Sequence, residues 1–164
     1  MDARPGTYAL LLRARFGGRI QIGRCGSLAV RPGWYVYIGS AFGPGGLRAR
    51  LRHHCRLAER PHWHIDYLRR AAAPEFVWYS HDPQHREHGW AESVGRLDSA
   101  QVPLPGFGAS DCDCRSHLFF FPHPPCLSVF RRQIHAVVPG HARIASAALA
   151  HTGSDSMDDA SGEY

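Results

Sequence analysis

Trp34-Tyr-Val-Tyr-Ile38, approached through Arg31-Pro-Gly33 and followed by Gly39, is the stretch whose reading decides the fold. An unbroken run of aromatic and β-branched side chains favours a pleated, extended backbone. The period of two then puts Tyr35 and Tyr37 on one face and Val36 and Ile38 on the other. Upstream, Thr7-Tyr-Ala-Leu-Leu-Leu-Arg13 reads as a buried strand, and Arg19-Ile-Gln-Ile-Gly23 alternates apolar with polar. Gly17-Gly18 predicts a hairpin turn between those two. The expected architecture is α+β: a small, mostly antiparallel three-stranded sheet flanked by helices, with an irregular C-terminal extension.

Downstream of the third strand, Ala41-Phe-Gly-Pro-Gly-Gly46 reads as a loop, followed by a helix from Gly46 to about Glu59 that Pro61 ends. A second helix is expected across His62–Ala73, a strand across Glu75–Tyr79, and a third helix from Gly89 to Ala100, beginning near Glu87. Pro103–Ser116 is rich in Gly, Pro, Ser and Asp and reads as loop, ahead of the apolar Leu118-Phe-Phe-Phe121. Val129–Val138 is read as a strand and Arg143–Ala150 as a helix. The organisation expected is a main domain over 1–121, an extension packing on it over 122–150, and a disordered acidic tail over 151–164.

In 164 residues with 44% apolar composition there is material for one domain with a proper core. No apolar run approaches the roughly 18 residues of a membrane span, and Met-Asp-Ala-Arg-Pro5 lacks a charged-then-apolar signal pattern, so a cytoplasmic protein is expected. The five cysteines (Cys25, Cys55, Cys112, Cys114 and Cys126) then read as free or metal-bound thiols, not disulfides. All 19 basic residues are arginine. Residues 1–70 hold 13 Arg against three acids, and residues 71–164 hold 6 Arg against 11 acids. A basic half of this kind suits a polyanion, because each neutralised phosphate releases counterions; an ordinary solvated surface is the alternative.

Helix phase sharpens that charge. At about 100° per residue, Leu47, Leu51 and Ala58 form the stripe that faces the sheet, while Arg48, Arg52 and Arg56 point to solvent. Arg50 and His54 lie one turn apart on the flank of the stripe. An arginine at the edge of a core is costly unless it meets an anion, either a ligand or a local acid. Tyr8 and Tyr37, on two strands, read by themselves as amphipathic core tyrosines.

Gly6-Thr-Tyr8 and Tyr37-Ile-Gly39, followed by a glycine-containing loop and a helix bearing Arg50 and His54, resemble the GIY-YIG nuclease superfamily. Within it, several blocks are similar to the GIY-YIG-type "domain of unknown function 123", found alone or fused to endonuclease III. They are Gly6-Thr-Tyr-Ala-Leu-Leu-Leu12, Gly33-Trp-Tyr-Val-Tyr-Ile-Gly-Ser-Ala41, Gly45-Gly-Leu47, His62-Trp-His-Ile-Asp-Tyr-Leu68 and Gly106-Phe-Gly-Ala-Ser-Asp-Cys-Asp-Cys-Arg-Ser-His-Leu-Phe119. The resemblance spans about residues 5–121.

It implies a nuclease that uses one Mg²⁺ or Mn²⁺ to hydrolyse phosphodiester bonds in DNA, acting on single-stranded or repair-associated structures. Tyr8 is then the group that orients or deprotonates the attacking water, and Tyr37 its partner in a hydrogen-bond relay. Gly39 leaves room for substrate backbone, Arg50 binds the scissile phosphate, and His54 assists proton transfer. Glu87 is the expected metal ligand, because Glu87-His-Gly-Trp-Ala91 is similar to a Glu-Cys-Glu-aliphatic-Ala stretch of the family; Gly89 stands where a second glutamate is common, and Glu92 is the fallback. These groups suffice chemically: a permanently charged fork for the phosphoryl oxygens, a hard cation on a carboxylate, and a phenol that nearby positive charge would have to draw toward its phenolate.

Arg48, His62, His64 and Asp66 are further candidates for binding substrate, with Trp63 either stacking a base or, by its helical spacing from Tyr67, packing in the core. Cys112-x-Cys114-x-x-His117, beside Asp111, has ligand types suited to zinc, with His62 and His64 available to complete a site; the alternative is a loop held by hydrogen bonds and buried thiols. His81, His85, His88, His123, His135, His141 and His151 read as surface and loop residues. Two other functions stay open: a nucleic-acid-binding module without catalysis, and a zinc-stabilised interaction domain.

Overall fold

The computed structural model describes residues 2–149. Strand β1 (Thr7–Ala14) is the spine of the molecule. Seven of its eight residues are buried, because it has a partner on each edge and a packed layer on each face. On one edge it pairs antiparallel with β4 (Gly33–Ser40), in a register that sets Tyr8 opposite Gly39 and Leu10 opposite Tyr37. On the other it pairs antiparallel with β5 (Ala73–Ser80), with a register shift between Leu11 and Leu12. The sheet is completed by β6 (Leu118–Phe121) beside β4 and β7 (Ala145–Ala148) beside β5, giving five antiparallel strands in the order β6-β4-β1-β5-β7.

Successive side chains of a strand point to opposite faces, and each face has its own core. One core gathers Tyr8, Leu10, Leu12, Tyr35 and Leu118 under α1 (Gly46–His54) and α2 (His64–Leu68), through Leu47, Leu51, Ile65 and Leu68. A separate hairpin of β2 (Gly18–Ile22) and β3 (Gly26–Val30) covers the same side with Ile22, Leu28 and Val30. The other core gathers Ala9, Leu11, Val36, Ile38 and Phe119 under α3 (Glu87–Gly95) and α4 (Leu127–Val137), through Trp90, Val94, Phe130 and Ile134. Burying both faces is why β1 and β4 are apolar at nearly every position rather than alternating.

The sheet thus has five strands where three were expected. The expected β1–β2 hairpin does not form: both edges of β1 are taken by longer partners, and β2 pairs with β3 instead. The C-terminal readings are exchanged. Residues 129–137 are helical because Phe130 and Ile134, one turn apart, dock on Trp78 and Trp90. Ala145–Ala148 is extended because β5 offers an unpaired edge, which outweighs the helix propensity of alanine. The first helix ends at His54 rather than near Glu59, the second covers only His64–Leu68, and the third stops at Gly95. The acidic tail expected over 151–164 lies outside the described residues. Among those described, no helix is long and apolar enough to cross a membrane.

Candidate active site

The β1–β4 ladder creates the centre of the site. Tyr8 stands directly across from Gly39, and its ring lies over that glycine so closely that a Cβ there would run into the phenol. Gly39 therefore makes room for Tyr8, not for substrate backbone as the resemblance implied. Tyr37 sits diagonally across the ladder, with its ring centroid 6.4 Å from that of Tyr8. Gly108, at φ 71°, lets the loop before β6 close over Tyr37; a side chain there would press on the Tyr37 ring and on His117.

Helix α1 then brings His54 onto the phenols. Its Nε2 lies 2.7 Å from the Tyr8 hydroxyl, across 46 residues of sequence, and its ring is edge-on to Tyr37 at 6.1 Å. Tyr8 and His54 are each 1% exposed. Burial pushes His54 down to about 3, helped by the neighbouring His53 and Arg50 charges, so the imidazole is neutral. Burial likewise pushes Tyr8 well above the ordinary phenol range, reinforced by Tyr37, while Arg50 pulls the other way. Tyr37 is raised too, by burial and then Glu87. Hence the phenol O–H donates and the neutral Nε2 accepts, placing the ring proton on Nδ1, which has no hydrogen-bond partner among the described residues. Of the positive charge that Tyr8 would need to reach its phenolate, Arg50 supplies part, and burial outweighs it.

Arg50 occupies the rim. Its guanidinium lies over the Trp63 ring, 4.4 Å from the centroid. Among the described residues it forms no ion pair with an acid. The fork faces a cleft of about 220 Å³ lined by Ala41, Gly43, Pro44, His53 and Trp63. Trp63 is 37% exposed, so it serves as a platform at this cleft and not as core.

Asp66 does not line a groove. It is 3% exposed and accepts the backbone N–H groups of His62 and Trp63, each at 3.0 Å, and faces His53 Nε2 at 2.8 Å. Burial opposes its ionisation, but those hydrogen bonds hold it below the usual carboxylate range. Its work is to fix Trp63 and His53 beside Arg50. His64 accepts the Gly108 N–H at 2.9 Å and braces the loop over Tyr37. His62 and Arg48 are exposed and stand apart from the buried phenol–imidazole cluster. His53, the neighbour that sequence reasoning missed, packs edge-on to Trp63 and next to His54; only its place in the His53-His54 pair hinted at a role.

Glu87 opens α3, and its charge is felt by both Tyr8 and Tyr37. Burial works against its ionisation, yet the close His117 ring and the Ser40 hydroxyl keep it below its ordinary value. Its Oε1 lies 2.9 Å from His117 Nδ1. Glu92, the fallback, points away from this centre: it is exposed and paired with Arg96 at 2.5 Å. Around Gly89 there is open space, so the missing second carboxylate leaves a gap in chemistry and none in packing.

Among the described residues, two groups of side chains bring ligand atoms within 4.8 Å of one another: His53, His54 and Asp66 beneath the cleft, and His88, Cys112, Cys114 and His117 between α3 and the loop before β6. Cys112, Cys114 and His117 do converge, but the fourth member is His88. His62 and His64 lie elsewhere, Asp111 is exposed, and His88, exposed as expected, stands on α3 beside the thiols. His141 is no surface residue: it is buried, with its Nε2 accepting from the Trp90 indole at 3.0 Å.

The sequence model of the family described as "Domain of unknown function DUF123" matches residues 7–138. No curated protein and no solved structure matches the chain.

Proposed function

The chain belongs to the DUF123 family, and from that premise we propose that it is a divalent-metal-dependent nuclease that hydrolyses phosphodiester bonds in DNA, single-stranded or repair-associated structures among them. The reading is carried by one observation: a buried phenol bonded to a neutral imidazole at 2.7 Å, beside an arginine that has no acidic partner among the described residues and faces a cleft. The likeness of the Tyr8, Tyr37 and Gly39 motifs to GIY-YIG nucleases supports the same reaction class, and the arginine-rich first 70 residues suit a polyanion.

Phosphodiester hydrolysis needs a water that loses its proton as it attacks, and charge stabilisation on the phosphoryl oxygens. With Tyr8 held protonated by burial, the economical route is a relay. The Tyr8 oxygen takes the water proton as its own proton passes to His54 Nε2, and because burial disfavours the imidazolium as well as the phenolate, that proton is held only until the leaving oxygen takes it up. Arg50 offers two parallel N–H donors to the phosphate, and Trp63 beneath it keeps the fork oriented. The ionised Glu87 carboxylate, with the Ser40 hydroxyl, is an oxygen donor set that fits Mg²⁺ or Mn²⁺. Such an ion supplies charge neutralisation at the scissile group.

With Mg²⁺ or Mn²⁺ present, the purified protein is expected to nick labelled DNA. Tyr8→Phe, Arg50→Ala and Glu87→Gln should each lower the rate by about a hundredfold or more, as loss of a transition-state donor does elsewhere. Arg50→Ala should leave thermal stability nearly unchanged. Nicking that survives all three substitutions rules this site out. A second reading is favoured by the existing contacts of Glu87 with His117 and Ser40: a nucleic-acid-binding module without catalysis. Salt-sensitive, metal-indifferent binding with no cleavage would select it.

A further inference from the structure

We propose that His88, Cys112, Cys114 and His117 form a closed, structural Zn²⁺ site. The observations behind it are separate from those behind the nuclease reading, although its ligand His117 touches the Glu87 carboxylate assigned to Mg²⁺ or Mn²⁺. The four ligand atoms lie within 4.8 Å of one another. His88 Nδ1 is 3.0 Å from Cys114 Sγ, and His117 Nε2 is 3.5 Å from Cys112 Sγ. A tetrahedral zinc with bonds of about 2.3 Å to sulfur and 2.0–2.1 Å to nitrogen has ligand–ligand edges of roughly 3.3–3.8 Å. The cluster therefore closes on an ion with only small side-chain shifts. Two thiols and two imidazoles are a borderline-soft donor set that suits Zn²⁺ and disfavours Mg²⁺ or Ca²⁺. Four protein ligands leave no open position, which marks the site as structural.

The surroundings are those of a metal site. His117 is 2% exposed, with Nε2 3.5 Å from the Cys112 thiol and Nδ1 2.9 Å from Glu87 Oε1, a contact close enough for an ion pair but out of line for a hydrogen bond. A carboxylate behind a ligating histidine fixes ring and tautomer, and recurs in zinc proteins. A cavity of about 740 Å³ lined by His88, Cys112 and Cys114 gives the ion a way in. The location also calls for a clamp. Residues 102–117 contain no helix or strand, and irregular stretches of this length are uncommon in compact domains unless anchored. Phe107 and the His64–Gly108 bond anchor one side of the stretch. The Cys/His cluster ties its far tip to the first turn of α3. One intervening residue between Cys112 and Cys114 is tight for two ligands, and it is workable here because both histidines come from outside the turn.

Zinc on Nε2 leaves the His117 proton on Nδ1, facing Glu87, so the ion is also a positioning device for that carboxylate. The test uses the full chain, purified from zinc-supplemented cells without a polyhistidine tag. Elemental analysis should find about one zinc per chain. The Co²⁺-exchanged protein should show the intense visible bands of a tetrahedral site and thiolate-to-cobalt charge transfer. Cys112→Ser and Cys114→Ser should each weaken the charge-transfer band and release zinc, and His62→Ala should change neither. Should the serine variants fail to fold, thiol titration of the natural chain decides: of its five cysteines, two should resist reagent until a chelator is added. Zinc-free protein with five freely reacting thiols, a Cys112–Cys114 disulfide, or bound iron in place of zinc overturns the proposal. Because none of these readouts measures nicking, lost cleavage with zinc intact counts against the nuclease reading alone.

Discussion

Tyr8 and Tyr37 hang from the two strands at the middle of the sheet, and the ladders that hold them continue on both sides. Cys112 and Cys114 sit in a stretch with no helix or strand, closed on itself by backbone bonds such as His117 N–H to the Phe107 carbonyl and Gly106 N–H to the Arg115 carbonyl, and tied to the body through contacts such as Gly108 N–H to His64. Both regions gather side chains from distant parts of the chain, but they are organised by different forces. The phenol–imidazole cluster forms as the cores form: its geometry is a by-product of strand register and of Leu47 and Leu51 seating α1. The thiol–imidazole cluster has no such scaffold, and a metal ion is what organises donors of that kind. The first region is fixed by the sheet before any ligand arrives; the second, on the zinc proposal, is fixed by the ion it binds.

The sharpest way to break this contrast is pH. His54 is neutral when folded, with a value near 3 in place of the ordinary 6.5. Between those values the unfolded chain binds a proton that the folded one refuses, so stability falls as pH drops through 6.5 towards 3. The slope is about 1.4 kcal/mol per pH unit, and over the window the loss reaches several kcal/mol. His54→Gln keeps an acceptor for the Tyr8 hydroxyl but cannot titrate. Denaturant unfolding at about pH 7, 6 and 5 should show the natural chain losing stability faster than the variant by roughly that slope. Asp66, Asp82 and Glu87, all held below their ordinary values, add an acid-dependent loss at lower pH that the two proteins share. Parallel curves for the two proteins would mean that His54 is not held neutral.

How much of this was legible in sequence follows from the same contrast. Where side-chain period and local propensity agree, the reading held: the faces of Trp34–Ile38, and Arg50 at the edge of the apolar stripe of α1, whereas His54, expected beside it on the flank, lies within the buried stripe seven residues after Leu47. Where a distant edge decided, it failed. Residues 129–137 carry enough β-branched character to suggest a strand, but the pocket formed by Trp78 and Trp90 receives Phe130 and Ile134 at helical spacing. Ala145–Ala148 reads as helix until β5 is known to lack a partner on that side. In the candidate site, strand and helix residues were found from motifs, whereas the contacts through turns were not. Asp66 holding His53, and His88 meeting Cys114, depend on loop paths that no local period encodes. The fourth member of the Cys/His set was nonetheless adjacent to Glu87 in sequence, and Cys112-x-Cys114-x-x-His117 lacked one ligand.

A next test is steric and belongs to the ladder. Gly39→Ala puts a methyl where the Tyr8 phenol lies, and neither the ring nor the paired strand can move without disturbing the core behind them. Overpacking of this kind costs about 1–3 kcal/mol. Because the displaced group is Tyr8, loss of nicking should exceed what the stability loss explains. Gly39→Ala that is both stable and active would show that the phenol is not held where the β1–β4 register puts it.

The smallest effect expected has the opposite sign, and it comes from the region beside the thiols. Gly89 is the third residue of α3, at helical backbone angles, and a Cβ there meets nothing within 4 Å. Glycine inside a helix is less favourable than alanine by about 0.8–1 kcal/mol, mainly through the freedom the unfolded chain must give up. Gly89→Ala should therefore stabilise the protein by up to that amount in denaturant unfolding, with zinc content and nicking unchanged. A loss of stability would mean that the space around Gly89 is closed in solution, with α3 packed against a neighbour. A gain, set beside the loss at Gly39, would show two glycines kept for different reasons: one because the Tyr8 ring lies across it, the other under no packing constraint.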